Sequence, residues 1–367
     1  MTGGAMADSG IDIFSDIRSD AESVDREWLQ AVLDHAGVSR GATLSEIRFD
    51  GYVGTGQVGS NGRFSLTWSD PTGRPATVMG KFPSRDAEAR AHAFGGTTYT
   101  SEWNFYDTIA PLVKVRAPHC HYVAMNAERQ QFCLIMEDLN GSEQADQFVG
   151  ISVDEAALAV EQAVLLHAPL WGRENLGAMF PGSIQLEERV AAFGFMYEMF
   201  LPTFIERIGP LVSDEISSLA RDIAPVVGRW AGGSGSPTTV AHNDFRPDNF
   251  LYGRAAGAPP LVIVDWQTVG EGNGMSDLGY MIAGSFTAEK RRVEEDALVR
   301  SYYSQLVAAG VSGYSWDDCW RDYRFYAPWG LIMAVFATSM AARTERGDQL
   351  FALMATQYGT LALDHRS

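Results

Sequence analysis

The chain has 367 residues, 46% hydrophobic and 20% charged, the balance of a globular protein large enough for two lobes and a substantial core. Lys and Arg total 28 against 46 Asp and Glu, a net charge of −18, which disfavours nucleic acid and anionic membrane as partners. No apolar run approaches the ~20 residues that cross a bilayer. MTGGAMADSG lacks the basic-then-apolar order of a secretory signal, and Cys120, Cys133 and Cys319 have unrelated spacings that suit a reducing cytoplasm rather than a disulfide or zinc framework.

Residues 1–23 are expected to form a mobile tail, 24–139 an N-terminal lobe ending in a hinge, and 140–367 a helical C-terminal lobe. VDREWLQAVLDHAG (24–37) has helical spacing, with Asp25 near its start and Gly37 closing it. Strands are expected over 44–53 and 62–69, around GTGQVG. There Gly54, Gly56 and Gly59 allow close backbone approach, so successive N–H groups can cradle phosphates; a plain hairpin turn is the alternative. ATVMGKFP (76–83) is a strand with Lys81 near its end. A lysine here can donate to the α- and β-phosphates of ATP, held by a Glu from the next helix; an exposed strand-end lysine is the other reading. Glu102 in TYTSEWNFYDTIAPL and Glu88 in RDAEARAH are the candidates. HYVAMN and QFCLIMEDL complete a five-stranded antiparallel sheet, with Cys133 in the core. MEDLNG then reads as the hinge, whose backbone around Glu137 to Leu139 would meet the adenine edge.

From Ser152 the pattern turns helical, opening with a capping box, Ser152 and Glu155. His167 at the end of that helix reads as a buried structural histidine. Two further helices are expected over 184–208 and 212–230, and GGSGSP (232–237) is a flexible link rather than a domain boundary.

HNDFRPDN (242–249) followed by IVDWQ (263–267) carries the chemistry. Phosphoryl transfer needs a carboxylate to accept the proton of the attacking hydroxyl, an amide oxygen on Mg²⁺, and a second carboxylate on the metal. Asp244, Asn249 and Asp265 have those types at that spacing. Magnesium keeps several waters, so one amide and one carboxylate suffice. Pro247 opposes helix before Asn249, and FLYG and LVIVDW form a strand–turn–strand. Arg246 is open between stabilising transferred charge and an ion pair within the loop. His242 is expected to fix the loop by packing and hydrogen bonding.

These pieces, with SEWNFYDTIAP, LIMEDL, LLHAPLWG and SDLGYMI in the same order over roughly residues 25–345, resemble the aminoglycoside phosphotransferase-like and choline kinase-like enzymes, and most of all the ecdysteroid kinase-like branch and its bacterial relatives. The resemblance implies an α+β, bilobal protein kinase-like fold: an antiparallel-sheet lobe, then a mainly helical one. It favours Glu102 over Glu88, because the family pattern has Glu before an aromatic pair, as in EWNFY. It implies that Asp277 supports the catalytic loop from beneath. Many relatives have Gly where Asn243 stands.

The function so implied is ATP- and Mg²⁺-dependent transfer of a phosphoryl group to a hydroxyl of a small molecule. Aromatic and Met clusters (Phe193, Phe195, Met196, Tyr197, Met199, Phe200, Trp316, Trp320, Tyr323, Phe325, Tyr326, Trp329) are expected to be mostly core, with some lining an apolar acceptor groove. The alternatives are a cationic, aminoglycoside-type acceptor and a catalytically silent nucleotide-binding scaffold. A protein substrate is disfavoured, since DWQTVGEGNGMSDLG runs from Asp265 almost directly into a helix, without DFG or an APE-like segment.

Overall fold

A computed structural model describes residues 11–54, 59–341 and 343–366. The chain forms two compact units: Met1–Pro111 with Ala117–Gly141 and Asp265–Thr268, and Leu112–Arg116 with Ser142–Val264 and Val269–Ser367. The fold class is α+β, sheet-rich at the N-terminal end and mainly helical after it.

The first unit is built on helix α1 (Arg26–His35) and strands β1 (Leu44–Val53), β2 (Gly59–Trp68) and β3 (Thr77–Pro83). Helices α2 (Ala87–Gly95) and α3 (Thr98–Asn104) follow, then strands β4 (Cys120–Asn126) and β5 (Gln131–Glu137). The sheet order is β1-β2-β3-β5-β4, antiparallel throughout. In β5, Phe132 to Met136 are all buried, because this strand is covered on both faces and so reads as a continuous apolar run rather than an alternating one.

Asp25 caps α1 by accepting the Trp28 N–H at 2.8 Å, and Gly37 closes it at φ 69°. Residues 11–23, expected to be mobile, are instead packed. Ile13, Ile17 and Ala21 join Trp28, Val78, Tyr122 and Ile135 in the core of this unit. Hydrogen bonds fix the segment. Tyr122 donates to the Ile13 carbonyl at 2.6 Å, and the Trp28 indole to the Asp16 carbonyl at 2.8 Å. Residues 1–10 of the expected tail lie outside the described residues.

The second unit opens with strand β6 (Ser142–Gln144) and helices α4 (Val153–His167), α5 (Leu186–Arg207), α6 (Asp214–Ile223) and α7 (Val227–Trp230). The expected helix over 212–230 is thus two, because Pro225 lacks an N–H and its ring clashes with the preceding turn. Strands β7 (Thr239–Ala241), β8 (Phe250–Gly253), β9 (Leu261–Ile263) and β10 (Gly270–Gly272) follow. They form a β6-β8-β9 sheet and a β7–β10 pair. Helices α8 (Gly274–Ser285), α9 (Ala288–Ala308), α10 (Trp316–Tyr326), α11 (Trp329–Met340) and α12 (Glu345–Asp364) complete the unit. Every residue of α8 is buried. The capping box of α4 is formed: Glu155 N–H donates to Ser152 Oγ at 3.1 Å, and Ser152 N–H to Glu155 at 2.9 Å. Among the described residues no helix is long and apolar enough to cross a membrane.

Candidate active site

In the first unit the site is a lysine between two carboxylates. Lys81 Nζ on β3 lies 2.7 Å from Glu102 on α3 and 3.2 Å from Asp265. Burial opposes the charge on Lys81, but Glu102 and Asp265 outweigh it and hold the ammonium above the ordinary lysine range. Burial pushes the Glu102 carboxyl up, against the pull of Lys81. Glu88 lies on α2, and Glu102 makes the contact.

Asp265 is fixed locally. The next residue, Trp266, is fully buried and stacks on Phe105 with ring centroids 3.7 Å apart. Asp265 itself has φ 69°, a left-handed conformation that Asp tolerates better than most residues. Its carboxylate keeps 34% exposure, so it is open to a further ligand.

Gly59 begins β2 beside Lys81. A Cβ there would stand 3.2 Å from Lys81 Cε and from the Phe82 carbonyl, so glycine lets the strand pass the lysine stem. Gly54 has φ 80°; Gly56 lies outside the described residues. At the end of β5, the Glu137 N–H donates to the His119 carbonyl at 2.9 Å, and the Glu137 carboxylate accepts the His119 N–H at 2.6 Å. Leu139 follows β5 in irregular backbone. Asp138 accepts from Arg63 at 3.1 Å.

In the second unit the loop between β7 and β8 holds the other candidates. Asp277, fully buried on α8, receives the N–H of His242 at 2.6 Å and of Asn243 at 2.8 Å. Its Oδ2 also meets His167 Nε2 at 3.2 Å, while His167 Nδ1 meets the Tyr302 hydroxyl at 2.7 Å. One carboxylate therefore ties the loop start to α4 and α8. His242 Nε2 lies 3.1 Å from the Val264 carbonyl, so its ring spans from the loop to the residue before Asp265. Asn243 has φ 64°, which is why a position open to Gly accepts Asn.

The Asp244 carboxylate is held on both oxygens. Oδ1 accepts from Arg246 Nε at 3.0 Å, and Oδ2 from Asn249 Nδ2 at 2.8 Å. Asn249 Nδ2 also donates to the Asp244 carbonyl at 2.8 Å. Both amide hydrogens are used, and Asn249 Oδ1 makes no hydrogen bond among the described residues, leaving it able to face a cation. Arg246 forms its ion pairs inside the loop, with Asp244 and Asp248. Burial opposes its charge, and Asp244, the first of the groups that outweigh burial, holds the guanidinium above its ordinary range.

Sequence reasoning missed the surroundings of Arg246. Gln147 accepts from its Nη1 at 3.1 Å, and Tyr280 and Tyr358 lie in the same buried group. Gln147 is 99 positions from Arg246, so no local pattern links them. The expected aromatic groove divides: Tyr197 and Tyr323 are core, whereas Phe195 is 68% exposed. Trp230, Phe325, Tyr326 and Trp329 form one half-buried cluster.

A provisionally assigned aminoglycoside phosphotransferase from Ralstonia eutropha superposes with TM-score 0.54 at 15% identity, over 93% of this chain and 98% of that one. Choline kinase from Cryptosporidium parvum gives 0.52 at 12%, over 93% of each chain. Ethanolamine kinase from Plasmodium vivax gives 0.51 at 12%, over 97% of this chain and 92% of that one. The fold is theirs. At these identities the likeness is one of fold and assigns the chain to no branch. A family model, DUF1679, described as "Uncharacterized oxidoreductase dhs-27", matches residues 233–349, which include the Asp244 loop and Asp277. No curated protein sequence matches the chain.

Proposed function

We propose that the protein is an ATP-dependent phosphotransferase that moves the γ-phosphoryl group to a hydroxyl of a small, largely apolar alcohol. The observation that carries this reading is the Asp244 carboxylate, held by Arg246 and Asn249 in a loop anchored on Asp277. A general base must be fixed in orientation yet able to receive a proton. The order of motifs supports a place near the ecdysteroid kinase-like branch.

In this reading Lys81, clamped by Glu102, binds the α- and β-phosphates, while the glycines of 54–59 give the nucleotide close backbone approach. Backbone groups around Glu137 to Leu139 hold the adenine. Asp244 orients the acceptor hydroxyl and takes its proton as the oxygen bonds to the γ-phosphorus and the bond to the ADP oxygen breaks. Asn249 Oδ1 and the Asp265 carboxylate are oxygen donors of the kind Mg²⁺ prefers and would hold it, with waters as its other ligands. Bound magnesium would neutralise phosphate charge. Arg246 balances the charges of Asp244 and Asp248 and keeps the base in place.

The half-buried Trp230, Phe325, Tyr326 and Trp329 support an apolar acceptor, since burying a ring yields roughly 25 cal/mol per Å² of contact. The charge of −18 favours cations only at long range, and salt damps that attraction within ~10 Å. A competition assay with ATP and Mg²⁺ at two salt concentrations, offering a hydroxysteroid and kanamycin, tests the acceptor class. Phosphorylation of the steroid alcohol is expected. Salt-sensitive phosphorylation of kanamycin alone would reverse the choice.

A further inference from the structure

Arg246 is gripped from outside its own loop. Its Nη1 donates to Gln147 Oε1 at 3.1 Å as well as pairing with Asp248. Gln147 is 1% exposed and comes from the turn after β6. Its amide nitrogen donates to the Tyr358 hydroxyl at 3.2 Å and to Gln357 Oε1 at 3.0 Å, both on α12. These bonds fix which way the amide faces. A flipped amide would turn N–H groups toward a guanidinium that is itself only a donor.

The same turn holds Asp248. The Gln147 N–H donates to Asp248 Oδ1 at 2.8 Å, and Gln144 Nε2 to the Asp248 carbonyl at 2.5 Å. Tyr358 has room made for it by two other helices. A Cβ on Gly330 would stand 2.1 Å from its ring, and one on Gly284 2.7 Å from its hydroxyl. The ring stacks on Tyr280, with centroids 4.4 Å apart and planes 4° apart.

The chemistry of this arrangement is selective. Asp244 and Asp248 compete for one guanidinium. A third carboxylate at position 147 would draw the guanidinium away from Asp244. A neutral amide oxygen holds Nη1 without adding a charge, and so keeps Nε on Asp244 Oδ1. A hydrophobic residue would leave Nη1 with Asp248 alone, free to swing the fork.

We infer that Gln147 and Tyr358 are positioning residues for the Asp244 carboxylate, acting through Arg246. The inference rests on the phosphotransferase reading. Asp244 must point an oxygen at the acceptor hydroxyl, and misplacement by about 1 Å can cost on the order of 100-fold in rate. Nucleotide affinity does not depend on that alignment, so the effect belongs in kcat.

The test is a double-mutant cycle on the full-length protein, with ATP–Mg²⁺ and the hydroxysteroid as acceptor, or kanamycin if the wild type uses that. The variants are Gln147→Ala, Arg246→Ala and the pair together. Each single change is expected to lower kcat by about 10- to 100-fold, with KM for ATP within about twofold. The double variant should be no slower than Arg246→Ala, because residues acting through one group are not additive. If the two losses multiply, or Gln147→Ala turns over like wild type, the positioning role is wrong and the phosphotransferase reading stands. A wild type that transfers phosphate to neither acceptor overturns both. Should Gln147→Ala melt early, Tyr358→Phe carries the same cycle. It is expected to slow the wild-type background severalfold and the Arg246→Ala background not at all; equal slowing in both would overturn the inference.

Discussion

Asn249 gives both amide hydrogens to Asp244, one to its carbonyl and one to its carboxylate, each at 2.8 Å. The side chain is thereby locked with its oxygen as the remaining polar atom. Replacing Asn249 by Asp removes two donors and brings a second carboxylate against Asp244. A loss of about 1–3 kcal/mol in stability is expected, with turnover falling at the same time. Thermal unfolding at neutral pH checks it. A Tm equal to wild type would show that the two bonds contribute nothing to the loop.

Asp277 is a stronger case, because its carboxylate serves two backbone N–H groups and His167 with no exposure to water. Asp277→Ala removes the acceptor that all three share. The expected cost is about 3–5 kcal/mol, as for breaking a buried charge network from one side. Urea unfolding of the variant gives the number. A cost below about 1 kcal/mol would place Asp277 among ordinary surface-type interactions.

The first unit carries a pH signature at His121. Neither ring nitrogen has a hydrogen-bond partner among the described residues, and its ring meets His119 edge-on at 4.9 Å. Burial first, then the neighbouring His119, push the imidazole down to about 4, against the opposite pull of Glu137. The folded state thus prefers neutral His121, while the unfolded chain protonates it near 6.5. Its contribution is fully present above pH ~6.5 and is lost as pH falls through that range to about 4. The loss should reach about 2 kcal/mol after allowance for partial exposure. His121→Phe should flatten the acid side of the stability curve. An unchanged slope between pH 6.5 and 4 would contradict this.

Much of this molecule was legible from local pattern. The five strands of the first unit follow from apolar runs between turn residues, and the capping box at Ser152 from cap chemistry. The Asp244 loop was recognisable because its residue types sit within a few positions of one another. The Lys81–Glu102 pair was readable only through the aromatic pair after Glu102, since 21 residues separate them. What escaped has physical reasons. Ile13 and Ile17 looked like tail because their partners, Trp28 and Tyr122, lie farther along the chain. Pro225 split a helix whose apolar spacing continues past it. Gln147 and Tyr358 reach Arg246 by tertiary packing alone, and a lone Gln or Tyr carries no periodic signal.

The role proposed for Asp244 is to take the proton of a small-molecule hydroxyl during phosphoryl transfer from ATP. The most direct measurement follows labelled γ-phosphate from ATP–Mg²⁺ into the alcohol acceptor, for wild type and Asp244→Asn side by side, with nucleotide affinity measured on both. Transfer by the wild type is expected, with a 10²–10⁴-fold loss in the variant and ATP affinity nearly unchanged. Near-normal transfer by Asp244→Asn, or a wild type that binds ATP and transfers phosphate to no hydroxyl, would contradict it.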